Sequence, residues 1–92
     1  MIIKRNDAYT LRNIHGKSFL VLVKRNKCKA WVFEMNKIAL GIWSIADNID
    51  TDVIIDELGR KMSCLFSDEE VAIIRQFVTN LINIGLFERV AN

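Results

Sequence analysis

The chain predicts an α+β domain, a three-stranded antiparallel β-meander followed by three α-helices. Three observations carry this reading. Up to Met35 the apolar residues follow strand logic, alternating or gathered in short β-branched runs. From Lys37 onward they recur at helical spacing. The change falls at one seam, Phe33-Glu-Met-Asn36 running into Lys37-Ile-Ala-Leu-Gly-Ile-Trp43, so a strand ends almost directly at a helix.

Tyr9 to Ile14 is the first predicted strand, and His15-Gly16-Lys17 its turn. Phe19-Leu-Val-Leu-Val23 is apolar on both faces, as expected of a central strand covered from both sides. Lys24-Arg-Asn-Lys27 is a polar turn, with Asn26 tolerant of positive φ. Cys28 to Met35 forms the third strand, with Trp31, Phe33 and Met35 on one face and Ala30, Val32 and Glu34 on the other. This order leaves the first and third strands at the two edges. Asn36 is placed to cap the first helix, in which Ile38, Ala39, Ile42, Trp43, Ile45 and Ala46 recur until Asp47-Asn48. Asp50 or Thr51 caps the second, with Val53, Ile54 and Leu58 expected inside and Gly59 near its end. Ser67-Asp-Glu-Glu70 is a capping box with acids in the first turn, where the helix dipole favours them. The third helix then runs to about Ile84, and Gly85 stops it.

Ninety-two residues make one domain, residues 1–92, with an apolar content near half that suffices for a single core. No window reaches the roughly 18 uninterrupted apolar residues of a membrane span. Met-Ile-Ile-Lys-Arg-Asn leads into no apolar signal segment, so a cytoplasmic location is expected. Cys28 and Cys64 form no Cys-x-x-Cys pair, and with His15 the only histidine a metal site lacks ligands; neither a metal nor another cofactor is expected. The net charge of +2 conceals an asymmetry. Residues 1–37 carry nine Lys/Arg against Asp7 and Glu34, a balance of +7, and residues 38–92 carry four bases against nine acids, a balance of −5. Such a chain offers its first half to an anionic partner, or uses its lysines to blunt sheet edges.

Placed on a wheel, the third helix has a core stripe of Val71, Ile74, Val78, Leu81 and Ile82. Ile73, Phe77 and Ile84 lie beside it and widen the apolar arc to roughly half the circumference. Arg75 sits at the opposite border, and Asn80, Gln76, Asn83 and Thr79 fill the rest. The surplus rim either packs against the first helix or Leu86-Phe87, or walls a groove. An apolar rim beside an edge strand is a means of holding an extended peptide. Catalysis fares poorly, because no nucleophile–base pair, glycine-rich phosphate loop or carboxylate cluster can be assembled; the chain is not expected to be an enzyme. Three helices and a small sheet also describe a winged helix-turn-helix, whose recognition helix would need cations and amides facing DNA. Here that helix opens Ser-Asp-Glu-Glu and offers Arg75 alone, so the architecture is winged helix-turn-helix-like with a surface unsuited to phosphates.

Met35-Asn-Lys-Ile-Ala39, Ile42-Trp43, Ile49-Asp-Thr-Asp-Val-Ile-Ile-Asp-Glu-Leu58 and Val78…Leu81…Gly85-Leu86 together resemble the PqqD-like family. Its pattern is a Leu-Asn-x-Thr-Ala step off the third strand, an Ile-Trp on the first helix, a Thr-led second helix and a last helix ending near Gly-Leu. The likeness spans residues 18 to 88, with Met35 for the usual Leu, Ile38 for the usual Thr, and no Glu after the helix-opening Thr51. The resemblance implies a peptide chaperone, the recognition element of pathways that modify ribosomally made peptides. The precursor's leader would add as a strand against the third strand, in the cleft beside the third helix. A partner modifying enzyme would follow, either a leader protease of the lasso-peptide type or a radical enzyme. The candidate contacts are Lys27, Cys28, Lys29, Ala30, Trp31, Val32, Phe33 and Glu34 on the strand and Ile73, Arg75, Phe77, Asn80 and Ile84 on the helix. No membrane or nucleic-acid partner is expected, and the module would act as a monomer or homodimer. The alternatives are a DNA-binding or regulatory winged helix, and a structural adaptor that dimerises through its open edge.

Overall fold

The computed structural model of the protein describes residues 1–24 and 29–90, with side chains described outside 23–31. Its elements run β1 (Ile2–Arg5), β2 (Thr10–Ile14), β3 (Lys17–Lys24), β4 (Lys29–Met35), α1 (Lys37–Ile45), β5 (Asp47–Asp50), α2 (Thr51–Lys61), α3 (Asp68–Asn83) and β6 (Phe87–Arg89). The class is α+β, as expected. The order differs from three strands followed by three helices, because the six strands form two antiparallel sheets, β2-β3-β4 and β5-β1-β6.

The meander follows the predicted logic. His15 and Gly16 both have positive φ (51° and 77°), the condition for a two-residue hairpin whose twist matches its strands. The register sets Leu20 opposite Leu11 and Phe33, and Ser18 opposite Met35, on the face that meets the core. Leu20 and Met35 are buried there, and Tyr9 meets Phe33 edge-on at 5.9 Å between centroids. No described element packs on the opposite face. Phe19 and Val21 are only half-buried and Val32 is 55% exposed, so β3 has one cover where two were expected.

The second sheet ties the chain's beginning to its end. Ile3, wholly buried, lies between Ile49 and Arg89 in the register, and β1 is the central strand. Asn48 (φ 55°) is the extra residue of a bulge, where the β1–β5 register slips between Ile3 and Lys4. Phe87 is buried against Trp43 at 5.6 Å, and Arg5 lies over the same indole and donates to the Trp43 carbonyl at 3.3 Å.

Each helix begins where its cap chemistry dictates. The Asn36 Oδ1 accepts from the Ala39 amide at 2.8 Å, and the Asp50 Oδ1 from the Asp52 amide at 2.9 Å. Ser67 and Glu70 close the capping box at 3.2 and 3.0 Å. At the far end of α3 the Gly85 amide donates to Ile82 and that of Leu86 to Leu81, a Schellman closure on the Gly85 positive φ of 92°. In α2 the buried set is Thr51, Ile54, Ile55, Leu58 and Gly59, so Ile55 takes the place expected for Val53, which is 46% exposed. The i, i+3, i+4, i+7 spacing from Thr51 accounts for the shift of phase. No helix among the described residues is long and apolar enough to cross a membrane.

Candidate peptide-binding groove

The site forms where β4 gives way to α1. Among the described residues β4 pairs with β3 alone, so its other side carries a row of unpaired backbone groups. Asn36 is both the residue that ends the strand and the cap that starts α1. The helix therefore leaves the sheet without a loop, and its first turn faces α3. Between them lies a cavity of about 220 Å³ lined by Asn36, Ile38, Ile73, Ile74 and Phe77. Its walls are overwhelmingly apolar, with Asn36 the one polar residue.

Ile74 is the floor, buried in the core stripe of α3 together with Val78 and Leu81. Phe77 and Ile38 are half-buried against the same core, and Ile73 stands 63% exposed at the mouth. Ile84, 49% exposed, and Asn80 continue the Ile73–Phe77 side of the helix toward its end. Leu86 and Phe87 are buried elsewhere and leave Ile73 and Ile84 uncovered. The rim is thus exposed at Ile73 and Ile84, while Phe77 is half-buried against the core and lines one cavity with Ile38 of α1.

The expected contact residues do not all converge. Ile73 and Phe77 line the cavity, while Asn80 and Ile84 extend its wall, Asn80 accepting from the Gln76 amide at 3.1 Å. Val32 and Glu34 point to the uncovered face of the meander, and Phe33 to the core face. Arg75 is on the far border of α3, where its Nε and Nη2 both donate to the Asp52 Oδ1, at 3.1 and 2.7 Å. Lys29, Ala30 and Trp31 supply β4 backbone, their side chains falling outside the described set; Lys27 and Cys28 lie outside the described residues altogether. Ile38 and Asn36, which sequence reasoning placed in a helix and its cap, complete the cavity. Their signal was the seam itself, since a strand that runs straight into a helix leaves no loop between the strand's end and that helix's first turn.

A larger hollow of about 540 Å³ lies between α2, the turn after it and the start of α3. Leu65 stands almost wholly exposed there and Cys64 is a free, exposed thiol. That hollow adjoins no strand edge. Among the described residues no three His, Cys, Asp or Glu side chains gather into a cluster that could hold a metal ion. No protein-family model, no curated protein and no solved structure matches the chain.

Proposed function

We propose that the protein is a PqqD-like peptide chaperone with a winged helix-turn-helix-like fold, which binds the leader of a ribosomally made precursor. It presents that precursor to a modifying enzyme, a leader protease of the lasso-peptide type in the first instance or a radical enzyme in the second. One observation carries the proposal: the unpaired edge of β4 leads, at Asn36, into an apolar cavity walled by Ile38, Ile73 and Phe77.

In this mechanism an unstructured segment aligns antiparallel to Lys29–Glu34. Each backbone bond to the edge contributes about 0.5–1.5 kcal/mol net. One large apolar side chain of the guest enters the cavity, where full burial is worth about 1.5–3 kcal/mol. Ordering the guest costs about 2–5 kcal/mol, so binding needs both the edge bonds and the buried anchor. Holding the leader in this way leaves the rest of the precursor free for the enzyme. Lys27 and Lys29 belong to the basic half and would steer acidic guests, acting on the association rate and its salt dependence. Arg75, committed to Asp52 across the helix, has no part in that steering.

The test is calorimetric titration of a precursor leader encoded beside this protein's gene. Micromolar binding that Phe77→Ala weakens about tenfold or more, with the circular dichroism unchanged, supports the reading. Binding that Phe77→Ala leaves unaltered removes the cavity from the site. Duplex DNA is the contrasting ligand, and the three acids in the first turn of α3, Asp68, Glu69 and Glu70, predict that it does not bind at physiological salt.

A further inference from the structure

The uncovered face of the meander is organised. Its register sets Thr10, Val21 and Val32 in one row across the three strands, and Arg12, Phe19 and Glu34 in the next. Both rows lie opposite the face that buries Leu20 and Met35. A strand as apolar on both sides as β3 is the pattern of one covered twice, and the described chain covers it once.

We propose that a second copy of this chain covers this face, the two meanders packing about a two-fold axis that runs along β3. Such an axis lays the β2 side of one sheet over the β4 side of the other, because it exchanges left and right and preserves height along the strand. Arg12 of each copy is thereby set over the partner's Glu34, with Phe19 and Val21 of both copies near the axis and Val32 over Thr10. The charge pattern is self-complementary in this arrangement. Glu34, whose own Lys17 is 3.7 Å away, then sits between two cations. Sheets packed in this way are about 10 Å apart and cross at roughly −30°.

The face is small. Three strands of five to eight residues offer less than the roughly 800 Å² per partner of a standard interface, so the dimer is reversible and concentration-dependent. Edge bonds lie in the plane of the sheet and this contact lies above it, so β4 stays open in the dimer. The inference therefore stands or falls independently of the peptide reading.

Sedimentation equilibrium of the full chain up to about 1 mM tests it. A reversible monomer–dimer equilibrium is expected, and Val21→Lys abolishes it. Arg12→Glu weakens the dimer about tenfold or more, and adding Glu34→Arg restores it; this charge exchange decides the matter if Val21→Lys fails to fold. A monomer throughout the range overturns the proposal. So does a dimer indifferent to both Val21→Lys and Arg12→Glu, which would place the contact at an open strand edge instead.

Discussion

Ser67 and Glu70 hold the first turn of α3 between them, each side chain satisfying the other's backbone amide. The Ser67 amide, and then its hydroxyl, keep the Glu70 carboxyl below the ordinary glutamate range. Asp50 is lowered likewise, first by the Asp52 amide it caps and then by the amino group of Met1 at 3.0 Å. A lowered folded value means stability that is present above the unfolded value and lost as pH falls through the folded one. Some stability should therefore be lost as these two carboxyls protonate, and Glu70→Gln should remove part of that pH dependence while leaving the neutral-pH plateau less stable than wild type. A denaturation series from neutral to acid pH reads it. Ser67→Ala should cost about 1 kcal/mol, or roughly 4–8 °C in melting temperature for a chain of this size. This box was legible because four consecutive residues carry both halves of it. Val53 and Ile55 were not separable in that way, since both are β-branched and the phase of α2 is set by what Leu58 and Thr51 meet in the fold.

At the scale of elements, the meander and the three helices could be read from local pattern, and the second sheet could not. Asp47-Asn-Ile-Asp50 has the composition of a turn, Phe87-Glu-Arg89 is three residues long, and their common partner Ile2–Arg5 lies more than 40 residues from either. Non-local pairing rescues segments whose own propensity is poor. The sequence offers Leu86-Phe87 only as a candidate partner of the α3 rim, whereas Phe87 packs on Trp43. Phe87→Ala should accordingly destabilise the fold by about 3–5 kcal/mol, measurable by urea unfolding, although it touches no part of the groove. Gly59 has a similar hidden role. A Cβ there would stand 2.9 Å from the Cys64 carbonyl, a backbone atom that itself is held in the turn, so Gly59→Ala should unfold the end of α2 at lower denaturant despite its better helix propensity. Ile73→Ser is the converse case. Ile73 is 63% exposed, so its loss should leave stability within about 0.5 kcal/mol and act on peptide affinity alone.

Over the whole molecule, the sequence separates a basic half from an acidic one, and the fold keeps that division in its architecture. Arg12 and Lys17 lie on β2 and β3 of the meander, whereas the acids gather on α2 and the start of α3. Arg75 illustrates why the division alone could not locate the site. It counts among the candidate contacts although the helical wheel sets it at the border opposite Ile73 and Phe77, and there it meets Asp52. If the basic half steers its guest, raising salt should slow association several-fold with little change in dissociation, a difference that stopped-flow fluorescence would separate. On the proposed function, an edge and an apolar cavity at its end would select an extended shape rather than any fixed chemical group.

Hydrogen exchange on β4 probes this most directly, followed residue by residue while a candidate leader is added to the protein at a concentration where it is monomeric. Amides of Lys29–Met35 that point away from β3 should exchange freely at first and become protected in step with binding, as the signals of Ile38, Ile73 and Phe77 shift. A leader that binds without slowing them, or an edge already protected in the free monomer, would contradict the account.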